Sequence, residues 1–256
     1  MTLIGEPFLR EGESADTAMG GTLGIIQPIK GYRFSIDPLL LANFASHGGK
    51  VQHALDLGCG GGIAGLALLN LDAAARITGV DIQHDAIDRA ERSAHWNGYT
   101  SRANFVKGDL RELSPISANL AIANPPYMPL GRGRLNSDQS IALSRHEIAL
   151  TVEQCCHYAQ ASLVEGGKFC VVFPATQENR LFKAIKEAAL TLSRYRRVHG
   201  RQGEAPSLIL VEGLKGNAQN LIQEEPLILH PSTDAAEGKY TKETLAILGA
   251  PSAVLS

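Results

Sequence analysis

The sequence predicts an α/β fold in which a mostly parallel sheet carries helices on both faces. Short apolar or β-branched segments alternate with longer segments whose apolar residues recur with the period of a helix. Glycine or acidic residues follow several of the short segments. Two strand-like segments, 193–200 and 207–215, come later and are expected to pair as an antiparallel edge. A series of this kind places its ligands at the carboxyl ends of the strands.

The elements follow one another in a regular order. The central strands are predicted at 51–57, 75–82, 103–109, 119–124 and 167–174. The helices between and after them are predicted at 63–71, 84–98, 147–166 and 178–192. Residues 1–50 contain glycine-rich turns and then a helix at 37–45, with Asp37 as its N-cap and Pro38 as its first residue. The C-terminal segment is expected to be partly extended.

Composition and charge exclude several classes of protein. The chain has 256 residues, of which 44% are hydrophobic, enough for a sizeable core. Its formal net charge of −2 gives no overall positive field, so contact with nucleic acid would need a local basic patch. The cysteines lack metal-ligand spacing, and no signal peptide or membrane-length apolar segment is found. We expect a cytoplasmic protein without metal or membrane contact, whose oligomeric state the sequence leaves open.

A glycine-rich segment, 58–62, follows the first central strand. Glycines there let the backbone turn sharply and approach a ligand, although alone they could simply pack a helix on the sheet. A phosphate-binding P-loop is excluded because no Gly-Lys-Ser/Thr follows. Asp81 ends the second strand, where a carboxylate can accept hydrogen bonds from ribose hydroxyls. Asp109 ends the third, where it can accept from an adenine amino group. Each acid alone is more typical of a turn, but the ordered set indicates a nucleotide-like ligand.

The fourth strand ends in Asn-Pro-Pro-Tyr at 124–127. Two consecutive prolines lack N–H donors and fix φ, so the strand must stop there. The tetrapeptide is a rigid group with an amide side chain, free carbonyls and an aromatic ring. Without the upstream motifs, this stretch would be interpreted as a strand exit with a packing tyrosine.

Together, the motifs from Asp56 to Tyr127 resemble those of the class I S-adenosylmethionine-dependent methyltransferases. The Asn-Pro-Pro-Tyr stretch is similar to the signature of the subset that methylates planar amino groups of adenine, cytosine, guanine or glutamine. The resemblance implies a Rossmann-like, seven-stranded sheet with an antiparallel edge, and S-adenosylmethionine as cofactor. The cofactor-binding residues that it implies here are Asp56, Gly58, Gly60, Asp81, Ile82, Asp109, Leu110 and Asn124.

The same resemblance suggests a chemical use for the tetrapeptide. An amino nitrogen conjugated to a ring is a poor nucleophile because its lone pair is delocalised. The Asn124 side-chain oxygen and the Pro125 carbonyl can accept its two N–H groups and stabilise the charge that develops on nitrogen. Tyr127 can stack on the base and hold it in line. Asn124, Pro125 and Tyr127 are therefore the predicted catalytic residues.

Four further segments resemble the bacterial tRNA adenine-N6 methyltransferases, which act on the adenosine 3′ of the anticodon in a valine tRNA. These segments are 31–42, 145–147, 202–207 and 210–216. In that family the segment around Arg33, Ser35 and Asp37 folds over the cofactor, so these three are further candidates. A surface ion pair is the alternative for Arg33, and helix capping for Asp37. We expect one methyltransferase domain over 1–256: a cap over the cofactor at 1–50, a core at 51–215 and an extension at 216–256.

Contact with tRNA requires local positive charge. The predicted RNA-binding residues are Arg132, Arg134, Arg194, Arg196, Arg197 and Arg201. For the last four, an edge strand protected by charge is about as good an explanation. Other functions stay open: guanine-N2 methylation of rRNA, glutamine methylation of a protein, or a non-catalytic RNA-binding or assembly factor. The short N-terminal region argues against the glutamine enzymes, which usually carry a helical domain there.

Overall fold

The computed structural model describes residues 3–31, 33–126, 150–217, 220–231 and 240–249. Its strands are β1 (Glu13–Ala18), β2 (Leu23–Pro28), β3 (Val51–Leu57), β4 (Ala74–Asp81), β5 (Ala103–Lys107), β6 (Ala118–Ala123), β7 (Leu163–Pro174), β8 (Thr191–Arg201), β9 (Pro206–Leu214), β10 (Ile222–Gln223) and β11 (Leu227–His230). Its helices are α1 (Asp37–Ser46), α2 (Ile63–Asn70), α3 (His84–Trp96), α4 (Val152–Ser162), α5 (Glu178–Glu187) and α6 (Lys242–Ile247).

The main sheet has the strand order β10-β8-β9-β7-β6-β3-β4-β5 in the described part of the chain, and β11 also pairs with β8. The strands β3 to β7 pair in parallel, whereas β9 runs antiparallel to both β7 and β8. The predicted parallel sheet with a late antiparallel pair is confirmed. That pair does not form the outer edge, however, because β10 and β11 add to β8 in parallel. With these two strands the sheet has nine strands in the described residues, and not the seven that the resemblance implies.

Each face of the sheet has its own hydrophobic core. One core lies under α1, α2 and α3 and contains Leu40, Leu66 and Ile77; the other lies under α4 and α5 and contains Leu55 and Phe169. Side chains alternate between faces along a strand, so a single strand such as β3 contributes to both cores. The carboxyl ends of the parallel strands form one edge of the sheet, called here the carboxyl edge.

The N-terminal hairpin β1–β2 was not predicted. It packs outside α3, and two side chains from α3 and its C-terminal end bond the free edge of β2 as a neighbouring strand would. Asn97 accepts from the Gly24 N–H (2.9 Å) and donates to the Gly24 carbonyl (2.6 Å), while Ser93 Oγ accepts from the Ile26 N–H (2.9 Å). The hairpin thereby becomes an outer layer fixed to α3.

Several helix ends differ from the prediction. The helix predicted at 147–166 ends at Ser162, because β7 begins at Leu163. Ile36, and not Asp37, is the N-cap of α1; Asp37 is its first residue, and its N–H donates to Ser35 Oγ (3.3 Å). The helix predicted to reach residue 192 ends at Glu187. It ends there because Ala189 adopts a left-handed conformation with φ +58°, after which β8 begins at Thr191.

Candidate active site

The predicted site residues lie in one row along the carboxyl edge. Leu57, at the end of β3, is in register with the last residue of β6 and with the residue before the end of β4. The next residues along these strands, Asn124, Gly58 and Asp81, therefore stand at the same level. Because neighbouring strands are about 4.8 Å apart, the row from Asn124 to Asp81 spans about 10 Å. Residues from three predicted motifs are thus brought together.

The glycine-rich segment forms a loop that opens towards solvent. The N–H groups of Gly58 and Cys59 donate to the Val80 carbonyl (2.8 and 2.9 Å), which fixes the loop on β4. Gly60 has φ +52°, and a Cβ built on it meets no atom within 4 Å. A side chain at this position would project into that open space, in a backbone conformation that it rarely adopts. The loop therefore offers bare backbone to a ligand.

The Asp81 carboxyl group, at the end of β4, is hydrogen-bonded to this loop. Its Oδ2 accepts from the Gly60 N–H (2.8 Å) and its Oδ1 from the Gln83 N–H (2.8 Å). Burial raises the pKa of Asp81 from its ordinary value. These hydrogen bonds orient the Asp81 carboxylate, whose oxygens have further lone pairs, and its binding of ligand hydroxyl groups remains a prediction. Ile82 follows it with 38% of its surface exposed, an apolar surface beside the acceptor.

Asp56 has a different environment from Asp81. It is 2% exposed, and its Oδ2 accepts from the Gly65 N–H of α2 (2.9 Å). Burial and the neighbouring Asp81 charge raise the pKa of Asp56 to about 7. Its position beneath the loop suits it to anchoring α2 to β3, and a contact with cofactor remains a prediction.

Asp109 follows β5 at the same edge and is held by Arg111. The Arg111 N–H and Nε donate to Asp109 Oδ1 (2.9 and 2.8 Å), and Nη2 donates to Oδ2. This arginine lowers the pKa of Asp109, so the group is an oriented carboxylate. Leu110 beside it is 9% exposed. The pair supplies an acceptor and an apolar side chain at the far end of the row.

The tetrapeptide begins where β6 ends. Asn124 is half-buried, Pro125 is buried and Pro126 is exposed. Tyr127 lies outside the described residues, as do Arg132, Arg134 and the segment 145–147. The structure thus places Asn124 and Pro125 beside the glycine loop, while the stacking role of Tyr127 remains a prediction.

Arg33 and Ser35 are bonded within the chain. Arg33 Nη2 donates to Asp16 Oδ2 (2.7 Å) and its Nη1 to Ser14 Oγ (2.8 Å), whereas Ser35 bonds Asp37. The ion pair named as the alternative for Arg33 is therefore present. Sequence reasoning overlooked Asp16 because it lies in the hairpin that was not predicted.

Comparison with known proteins identifies the family. The model of the methyltransferase small domain matches residues 37–193, which is more than half of the chain. The chain belongs to this family.

The methyltransferase is also similar to individual proteins. It is 27% identical over 197 residues to the tRNA1(Val) (adenine(37)-N6)-methyltransferase of Tolumonas auensis, covering 77% of this chain and 80% of the relative. It is 27% identical over 226 residues to the protein of the same name from Porphyromonas gingivalis, covering 83% and 87%. A solved structure titled a predicted O-methyltransferase from Agrobacterium tumefaciens superposes with a TM-score of 0.62 at 21% identity, covering 84% and 98%. The class I methyltransferase fold is confirmed.

The predicted RNA-binding arginines of β8 do not form an open basic patch. Arg194 is 9% exposed and donates to Glu212 Oε2 (2.8 Å) and Glu224 Oε1 (2.7 Å). Arg197 donates to both carboxylate oxygens of one acid on α5, Glu178 (2.9 and 2.7 Å). The charge of Arg194 is thus compensated inside the methyltransferase, which argues against a contact with RNA.

The guanidinium group of Arg196 is also hydrogen-bonded within the chain. Its Nε donates to the Glu225 carbonyl (2.8 Å) and its Nη2 to Glu243 Oε1 (2.5 Å), and its side chain is 11% exposed. Arg201, at the end of β8, is half-buried, and its backbone N–H donates to Glu204 Oε2 (2.9 Å). The internal contacts favour a structural role over an RNA surface for Arg194, Arg196 and Arg197. The alternative of a charge-protected edge strand does not apply, because β10 and β11 pair with β8.

Neither a metal-ligand cluster nor a membrane-spanning helix is found among the described residues. These residues contain no group of three or more His, Cys, Asp or Glu side chains arranged to hold a metal ion. No helix among them combines the length and apolar character needed to span a membrane.

Proposed function

We propose that this methyltransferase uses S-adenosylmethionine to methylate N6 of an adenosine in tRNA, the one next to the anticodon of a valine tRNA. The observation that carries the proposal is the row of Asn124, Gly58 and Asp81 at one level of the carboxyl edge. It is supported by relatives named for this reaction, which align over most of the chain. Such a protein would act in the cytoplasm, where tRNA is found.

The residues of the row suit S-adenosylmethionine. The open space over Gly60 admits a ligand against bare backbone, and Asp81 offers oriented oxygens for ribose hydroxyls. Ile82 and Leu110 supply apolar contact and Asp109 an acceptor for the adenine. When bound, S-adenosylmethionine supplies an electrophilic methyl group.

The tetrapeptide offers hydrogen-bond acceptors to the adenine amino group, which is the nucleophile of the proposed reaction. The Asn124 side-chain oxygen and the Pro125 carbonyl would accept the two N–H groups of the adenine amine and favour a pyramidal nitrogen with an available lone pair. The Pro125 ring fixes φ, and the following Pro126 restricts ψ of Pro125, so the direction of this carbonyl is constrained by the backbone beyond the end of β6 at Ala123. Tyr127 would hold the base by stacking.

An adenosine in an anticodon loop is close to single-stranded, so moving it into a pocket costs little unpairing energy. Arg132 and Arg134, which follow the tetrapeptide, and Arg201 remain in the proposed RNA-contacting set. We keep the division into a cap at 1–50, a core at 51–215 and an extension at 216–256 as part of the proposal.

Nucleoside mass spectrometry tests the function directly. tRNA from cells lacking this protein is incubated with purified protein and S-adenosylmethionine and then digested. We expect N6-methyladenosine in one valine tRNA and far less of it, over the same time, with the Asn124→Ala variant. If tRNA is unmodified while rRNA guanine or a protein glutamine gains a methyl group, the proposed substrate is wrong. If none of the three is methylated, the non-catalytic alternative is favoured.

A further inference from the structure

Gln27 is a buried amide that joins the hairpin to the segment before α1. It lies in β2 and is 6% exposed. Its Oε1 accepts from the Phe34 N–H (2.9 Å), and its Nε2 donates to Asp16 Oδ2 (3.0 Å). Both ends of the amide are therefore used, one by the segment 33–36 and the other by β1.

Arg33 completes this arrangement. Its Nη2 donates to the same Asp16 oxygen (2.7 Å), and its Nη1 donates to the Pro28 carbonyl (3.1 Å). We call Asp16, Gln27, Arg33 and the Phe34 N–H the hairpin clasp. It holds the start of the segment 33–36 by its side chain and by its backbone.

The segment 33–36 lies at the carboxyl edge. α1 runs from Asp37 to Ser46 and is followed closely by β3, which begins at the opposite edge of the sheet, so the start of α1 must lie at the carboxyl edge. The end of β2 also passes the glycine loop, since the Ile26 carbonyl oxygen is 3.7 Å from a Cβ built on Gly61. The clasp therefore connects the hairpin to the mouth of the cofactor site.

We propose that Gln27 is a positioning residue that keeps the segment 33–36 in place over the cofactor, and that Arg33 acts within this clasp. The proposal rests on the cofactor site described under the proposed function. A leucine at position 27 would leave the Phe34 N–H without its acceptor and the Asp16 carboxylate with one donor fewer. The segment would then sample other conformations in the free protein, and the free energy needed to order it would weaken cofactor binding.

The test compares Gln27→Leu with Asn97→Leu in the full-length protein. Both variants replace a buried amide that is hydrogen-bonded to the hairpin. Gln27 lies at the end of β2 near the segment 33–36, whereas Asn97 bonds Gly24, at the start of β2. Titration calorimetry measures the dissociation constant of S-adenosylmethionine, and hydrogen exchange measures protection of 33–36. We expect a rise of the dissociation constant by about tenfold for Gln27→Leu and less than about twofold for Asn97→Leu. Faster exchange at 33–36 should occur only in the first variant.

Each remaining outcome has a defined meaning. If the wild-type protein does not bind S-adenosylmethionine, the proposed function fails. If it binds and the two leucine variants bind equally, the positioning role of Gln27 is overturned. Should Gln27→Leu not fold, Asp16→Asn replaces it, because that side chain is 35% exposed and tolerates change. A smaller rise is then expected, and unchanged affinity with unchanged exchange counts against the clasp.

Discussion

Two carboxyl groups of adjacent strands have different environments. Asp81 orients its oxygens with the N–H groups of Gly60 and Gln83 and can still accept from a ligand. Asp56 is buried against Gly65 and carries a raised pKa. The sequence presents both simply as acids near strand ends, and the difference between them lies in their hydrogen-bond donors, which are a helix N–H for Asp56 and loop N–H groups for Asp81.

The raised pKa of Asp56 predicts a pH-dependent stability. An unfolded chain loses this proton near about pH 3.9, whereas the folded protein keeps it up to about pH 7. The contribution of Asp56 to the free energy of unfolding should therefore fall as pH rises between about 4 and 7 and level off above that. Asp56→Asn keeps an oxygen for Gly65 and should flatten this slope in denaturant unfolding without cofactor. As the control, Asp109→Asn should leave the slope between about pH 5 and 7 unchanged, because Arg111 lowers the pKa of Asp109.

Asn124→Ala tests the amide of the tetrapeptide. We expect kcat to fall by about 10²–10³-fold, because one of two acceptors for the reacting amine is lost. The dissociation constant of S-adenosylmethionine should change little. Asp81→Asn is the matched variant with the opposite pattern, in which cofactor affinity falls. Full turnover by the Asn124→Ala protein would contradict the assigned role.

At the scale of the elements, the strands of the main sheet were easier to predict than the ends of the helices. β3 was predicted with its observed bounds, since a short apolar strand followed by glycines has few alternatives. The end of α5 was missed because no glycine marks it; Ala189 takes the left-handed conformation instead. The hairpin was missed because part of its edge bonding comes from Ser93 and Asn97, far away in the sequence. The Gly20-Gly21 pair was the local signal for its turn.

Ala189 offers a stabilising substitution. A left-handed conformation costs a residue with a Cβ roughly 1–2 kcal/mol, which glycine avoids. The side chain is exposed, so removing its methyl group loses little packing. We expect Ala189→Gly to raise the free energy of unfolding by about 1 kcal/mol in urea titration. Ala188→Gly, at the preceding buried position, should lower it and serves as the control.

At the scale of the whole molecule, the arginines of β8 hold elements together. Arg194 joins β8 to β9 and to Glu224, and its guanidinium lies 3.9 Å from the centre of the Phe44 ring in α1. Arg197 joins β8 to α5. A count of charges along the sequence cannot separate such arginines from those that contact phosphate, because the compensating acids come from other elements.

The salt dependence of RNA binding should separate the two groups. Arg132→Ala and Arg134→Ala should each reduce the slope of log K against log salt concentration by about 1. Arg196→Ala is the control and should leave the slope unchanged. Arg194→Ala should instead lower the free energy of unfolding by about 3–5 kcal/mol, because Glu212 would be left buried without its main partner. If Arg196→Ala reduces the slope as much as Arg132→Ala, β8 does contact RNA.

The position of β9 between β7 and β8 bears on how the chain is completed during synthesis. When β7 has left the ribosome, its outer edge has no neighbour, and β8, the next strand to emerge, does not pair with it. Both strands form their hydrogen bonds to β9, so β8 and β9 are expected to join β7 together as a hairpin. Until residue 214 is free of the exit tunnel, the nascent protein exposes an open strand edge, and this is the interval in which a chaperone would protect it.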